Sequence, residues 1–145
     1  MKLEIRPASD ATLRAIESWR YDPPYDFYNG DEDPVLNPER FFEATDEDGH
    51  LVGNFYFEKK GDAVEIGLGL RPDLTGRGLG RDFLRASVEF ARTHLAAERV
   101  ILNVASFNER AIKVYERGGF RVTGQHMRTF ARWGEVEFTE MEEQR

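Results

Sequence analysis

The run Thr75-Gly76-Arg77-Gly78-Leu79-Gly80-Arg81 follows a short apolar segment ending at Leu70 and precedes an amphipathic stretch beginning near Phe83. It commits the middle of the chain to a strand, a glycine-rich turn and a helix. Such a turn is suited to phosphate: free N–H groups at a helix start converge on an anion, the aligned peptide dipoles add positive charge, and glycines let the chain approach closely. Spacing excludes two familiar phosphate loops. A nucleoside-triphosphate loop needs lysine and a hydroxyl residue after its last glycine, where this chain has Arg81-Asp82, and the dinucleotide pattern needs a small residue where Arg81 stands. Taken alone, the turn is equally an ordinary strand-to-helix connection. Arg77 and Arg81 are either solvated or placed for an anionic ligand, since the macrodipole disfavours cations at a helix start.

The rest of the chain alternates strands and helices without repeats or a linker. Leu3 and Ile5 belong to a first strand, and residues 11–20 suit a helix capped by Ser9 or Asp10. Residues 21–38 carry Pro23, Pro24, Pro34 and Pro38 and read as a loop with at most a short helical piece. Residues 39–45 and 51–58 form a hairpin about Asp46-Glu47-Asp48-Gly49, and residues 63–70 make the next strand, where Gly67 and Gly69 indicate a bulge or a close approach of another backbone. Leu84, Val88, Ala91 and Leu95 give the helix from Gly78 to about Ala97 its sheet-facing side. A buried strand at 100–104, a helix from an Asn108 cap to a Gly118 stop, and a hairpin of 120–128 with 133–141 complete the pattern. The expected fold is one α/β domain spanning residues 1–145, with a mixed, mostly antiparallel sheet.

Composition narrows the function. The net charge of −7 argues against clamping nucleic acid, and no apolar run has membrane-spanning length, so a cytoplasmic protein with no membrane partner is expected. The absence of cysteine removes disulfides and thiolate chemistry, and His50, His94 and His126 are too scattered for a metal site. The group Asp46-Glu47-Asp48 reads as a solubilising surface.

Two motifs in order carry a resemblance. Leu70-Arg71-Pro72 precedes the glycine-rich run, and Asn108, Ala111, Tyr115 and Gly119-Phe120 follow the strand at 100–104. In these features, over about the central half of the chain, the sequence resembles the GNAT superfamily of N-acetyltransferases. The family's loop usually begins with glutamine or arginine, and here it begins with Thr75. The resemblance implies a GNAT-like sheet whose two central parallel strands splay to admit the pantetheine arm of acetyl-CoA. Backbone groups of Leu68, Gly69 and Leu70 would hold the arm, one N–H there would polarise the thioester, and the loop Thr75, Gly76, Arg77, Gly78, Leu79, Gly80 and Arg81 would hold the pyrophosphate. Asn108 would reach the arm from the other side with its amide nitrogen while its oxygen caps a helix.

Attack of an amine on a thioester requires loss of an ammonium proton, stabilisation of an oxyanion and departure of a thiolate. Tyr115 is the candidate for protonating the sulfur, against a plain packing role for an aromatic on an amphipathic helix. The resemblance makes Glu65, on the strand before the loop, the candidate base, directly or through water, against a simple solvent-facing role; a water chain ending at backbone carbonyls is the alternative. Asn103 stands where some relatives carry a glutamate, and an amide does not serve as a base.

Acceptor choice is expected in residues 21–38 and in the hairpin containing Met127 and Trp133. Tyr25, Asp26, Phe27 and Tyr28, with Asp22, would attract a cationic amine and cover its apolar part, or else simply pack a proline-braced loop. A polyamine-like molecule, an amino sugar or a peptide amine satisfies these features equally. The alternative from another class is a non-catalytic acyl-CoA-binding sensor, which would keep the loop and Asn108 but have little need of Tyr115. Exposed strand edges would allow a homodimer.

Overall fold

The computed structural model describes residues 2–28 and 38–144. It contains β1 (Glu4–Pro7), α1 (Asp10–Ser18), β2 (Phe41–Thr45), β3 (Leu51–Lys60), β4 (Ala63–Leu70), α2 (Gly80–His94), β5 (Arg99–Ala105), α3 (Glu109–Arg117), β6 (Phe120–Phe130) and β7 (Gly134–Glu143). The strands form a seven-stranded sheet in the order β1-β2-β3-β4-β5-β7-β6. Neighbours are antiparallel except β4 and β5, which α2 connects as a crossover must. The expected mixed, mostly antiparallel α/β fold is therefore observed. Among the described residues, no helix is long and apolar enough to cross a membrane.

Local chemistry sets the element ends. Ser9, the first of the two expected caps, accepts from the Thr12 N–H at 3.1 Å and starts α1. The strand expected over 39–45 begins only at Phe41, because Pro38–Arg40 form a single 3₁₀ turn before it. The helix expected over 78–97 is shorter: Gly78 lies at φ +77, outside helical space, and Ala96 at φ 54 breaks the far end. In the loop over 21–38, the short helical piece is the 3₁₀ turn Tyr25–Tyr28, and residues 29–37 lie outside the described residues. The final hairpin is longer than expected on both strands.

Neither the bulge nor the backbone approach expected at Gly67 and Gly69 is found: what lies close to both is a side chain of β3. Pairing runs unbroken from Gly53↔Leu70 to Lys60↔Ala63, while a Cβ on Gly69 would meet Asn54 Oδ1 at 2.4 Å. Alternation then separates two faces of the sheet. Phe55, Phe57 and Ile66 face α2, where the Phe55 and Phe83 rings lie 4.3 Å apart and Phe57 stacks on Phe90 at 5.1 Å. A Cβ on Gly53 would meet Phe83 Cζ at 2.6 Å and the Gly69 oxygen at 2.4 Å, so only glycine lets the start of α2 sit this close to the sheet. The opposite face carries Asn54, Tyr56, Glu58 and Lys60 beside Glu65, Gly67 and Gly69.

Candidate active site

The parallel pairing of β4 with β5 runs from Ala63↔Arg99 to Ile66↔Leu102 and stops. Beyond it, Gly67 to Leu70 and Asn103 to Ala105 diverge, and a cavity of about 650 Å³ opens between them. Its mouth is the start of α2, where Gly76 (φ +73) and Gly78 (φ +77) take left-handed conformations that favour glycine. The N-cap, Leu79, has no side-chain acceptor for the first-turn N–H groups, unlike α1 and α3, which Ser9 and Asn108 cap. A helix start left without a side-chain cap faces the cavity with its partial positive charge.

Of the expected cofactor contacts, Leu68, Gly69, Leu70, Thr75, Gly76, Gly78, Leu79, Gly80 and Asn108 line this cavity, whereas Arg77 and Arg81 are exposed outside it. Three of these groups already have protein partners. The Thr75 hydroxyl donates to the Pro72 carbonyl at 2.7 Å, inside its own turn. The Leu70 carbonyl accepts from the Tyr21 hydroxyl at 2.7 Å, a phenol that burial pushes up to about 12. Asn108 Oδ1 accepts from the Ala111 N–H at 3.2 Å as expected, and one of the two N–H groups of its amide donates to the Tyr28 hydroxyl at 3.1 Å.

Tyr115 projects from α3 to the same cavity, and its hydroxyl has no hydrogen-bond partner among the described residues. Burial, with a smaller contribution from Tyr28, pushes that hydroxyl above the ordinary phenol range. It therefore stays protonated at neutral pH. Tyr28 is raised by its own burial, partly offset by hydrogen bonds from Asn108 and the Ala105 backbone.

The loop residues expected to bind acceptor separate into different roles. Tyr25 and Tyr28 line the large cavity. Phe27 instead packs at 5.0–6.2 Å on Phe130, Trp133, Phe138 and Phe107, fixing the loop to the β6–β7 hairpin, and Asp26 lines neither cavity. Sequence reasoning missed Arg110. Its guanidinium lies 4.2 Å over the Tyr25 ring, one of its nitrogens would be 3.9 Å from a Cβ on Gly76, and it lines the cavity beside the glycine turn. Its place two residues after the Asn108 cap, on the second residue of α3, was the available signal. Asn103 also lines the cavity, and its buried Oδ1 has no hydrogen-bond partner among the described residues.

Glu65 lies on the opposite face of the sheet, in a second cavity of about 440 Å³, where its Oε1 accepts from Lys60 Nζ at 2.6 Å. Phe41, Tyr56, Glu58 and Arg128 complete most of that wall. The two cavities share Asn54, Gly67, Leu68 and Gly69. They meet along the stretch of β4 that carries Gly67 and Gly69, beside the Asn54 side chain. Elsewhere, Asp46, Asp48 and His50 bring ligand atoms within 4.8 Å of one another on an exposed turn, and Asp46 Oδ1 there already accepts the N–H groups of Asp48 and His50.

A parallel pair thus splays beside a glycine-rich helix start within a seven-stranded mixed sheet. Residues 8–120 match the Acetyltransferase (GNAT) family, and the chain belongs to it. A mycothiol acetyltransferase of Propionibacterium freudenreichii subsp. shermanii is 35% identical over 115 residues, covering 79% of this chain and 33% of its own length. This chain thus spans about a third of the mycothiol acetyltransferases it matches. A spermidine N(1)-acetyltransferase of Vibrio cholerae is 25% identical over 128 residues, covering 81% of this chain and 72% of its own. Among solved structures, the V. cholerae spermidine N-acetyltransferase in complex with CoA and spermine superposes with a TM-score of 0.71 at 20% identity, over 97% of this chain and 94% of that one. A GNAT-family acetyltransferase from Bacillus anthracis gives 0.75 at 18%, over 98% and 94%. Those two likenesses bear on the fold.

Proposed function

We propose that this chain transfers an acetyl group from acetyl-CoA to the amine of a small molecule by direct attack on the thioester. The observation that carries the reading is the meeting of the two cavities at Gly67, Leu68 and Gly69. An acyl group held there is open to a cofactor from one side and to an amine from the other.

The residues fit acetyl-CoA on the cofactor side. Backbone N–H groups of Gly76 to Gly80, with Arg110 beside them, suit a pyrophosphate, and the unpaired ends of β4 and β5 suit an amide-bearing arm added like a strand. The cosubstrate supplies the activated acyl group. Tyr115 protonates the departing sulfur, an N–H of the Leu68–Leu70 backbone stabilises the oxyanion, and Glu65, facing the acceptor side with its Oε1 on Lys60, takes the amine proton directly or through water. Relatives named for mycothiol and spermidine support an amine-bearing small molecule, and a peptide amine would suit the same chemistry. A module that only bound the cofactor would have no use for the second cavity. The test is release of free thiol from acetyl-CoA across a panel of amines: amine-dependent release with acetylated product supports the reading, and binding without release to any amine contradicts it.

A further inference from the structure

The second cavity holds four charged side chains, and their pairing decides what it has left to offer. Glu58 Oε1 lies 3.2 Å from Arg40 Nη1, and its Oε2 accepts from the Tyr56 hydroxyl at 2.9 Å. Glu65 holds Lys60 at 2.6 Å, a contact that raises the Lys60 pKa and keeps the ammonium charged. Both carboxylates are thus already matched by a cation. Arg128 is not: among the described residues no carboxylate lies within the 4.0 Å of an ion pair. Its Nε donates to His126 Nε2 at 3.0 Å and its guanidinium carbon lies 4.5 Å over the Phe138 ring. These two contacts engage Nε and one face of the guanidinium of Arg128, which lines the cavity, and neither uses its paired terminal nitrogens.

A polycationic acceptor entering this space would meet two carboxylates already neutralised and a surplus guanidinium. An acceptor with one amine and one anionic group would meet a fixed fork of donors for the anion. Its amine would then lie toward Glu65 and the glycines of β4. We propose that the acceptor is an amine that also carries a carboxylate or phosphate-type anion, in the manner of an amino acid, and that Arg128 binds that anion. This rests on the acetyl-transfer reading above.

The test measures thiol release with matched acceptors: an amino acid, its methyl ester, an aminoalkylphosphonate and spermidine. The native protein is expected to favour the amino acid or the phosphonate over the ester by about 10–100-fold in kcat/KM, the scale of a charge-assisted contact. Whichever of the two leads distinguishes carboxylate from phosphate as the anion. Arg128→Gln should erase that preference mainly through KM, Arg128→Lys should restore part of it, and calorimetric binding of acetyl-CoA should be unchanged in both. Preference for the ester or spermidine, or an Arg128→Gln variant with native selectivity, overturns the assignment while leaving acetyl transfer standing. No thiol release with any amine removes acetyl transfer and the acceptor assignment together.

Discussion

Tyr115 and Glu65 face the same strand from opposite sides of the sheet, which gives each a separable test. Tyr115→Phe removes the hydroxyl proposed to protonate the sulfur but keeps the ring, so acetyl-CoA affinity should be unchanged while kcat falls by about 10²-fold. Equal turnover in an assay limited by chemistry would leave Tyr115 a packing residue. Glu65→Gln should lower kcat with acetyl-CoA affinity unchanged, and undiminished turnover would transfer the base role to water. Stability has its own titrating group. Burial works to raise the Glu43 carboxyl, but the Ser9 N–H at 2.9 Å, the Thr12 hydroxyl at 2.9 Å and Arg6 outweigh it and hold it below its ordinary 4.5. A depressed folded value stabilises the protein above the unfolded value and is lost as pH falls through the folded one. Glu43→Gln should therefore cost about 1–3 kcal/mol at pH 7, read as a drop in Tm that narrows as the solution is acidified below pH 4.5. At this scale the sequence disclosed Tyr115 and the Asn108 cap, because their spacing along one helix is local. It did not disclose that Tyr28 takes the Asn108 amide, a contact between residues 80 positions apart.

Among the elements, α2 does most to place the site, and two glycines govern it differently. At Gly53 the obstacle is steric: backbone and ring lie within 2.6 Å of an added Cβ, so Gly53→Ala should lower stability by about 1–3 kcal/mol as an overpacked core does. At Gly78 nothing lies within 4 Å of an added Cβ, and the obstacle is the φ of +77 alone. Gly78→Val should accordingly strain or reshape the turn and weaken acetyl-CoA binding by about tenfold, for roughly 1–2 kcal/mol of backbone strain. Calorimetry and thermal melts on the two variants separate these effects. The turn was legible because glycines and an amphipathic run mark it. The start of β2 was not, since the 3₁₀ turn at Pro38–Arg40 leaves the strand pattern after it unchanged. The packing of Phe27 was not legible because alternating acid and aromatic residues look the same whether they meet a substrate or a hairpin far along the chain.

Over the whole molecule, the sheet order and the splay follow from one arrangement: a single parallel pair amid antiparallel neighbours, with β7 inserted between β5 and β6. Strand and helix alternation announced the α/β class, and the paired motifs announced the family, but no local pattern tells on which face a strand residue falls. That face puts Glu65 and Arg128 in one cavity and Tyr115 in the other, with the glycines of β4 between. The central claim is that acetyl-CoA occupies the larger cavity and presents its acyl group at that junction. Calorimetric titration with acetyl-CoA, beside coenzyme A and NADPH, tests it most directly. The account predicts saturable one-to-one binding of acetyl-CoA and coenzyme A, weakened by Gly78→Val and indifferent to Tyr115→Phe, with no comparable binding of NADPH. Failure to bind acetyl-CoA, or binding equalled by NADPH, would contradict it.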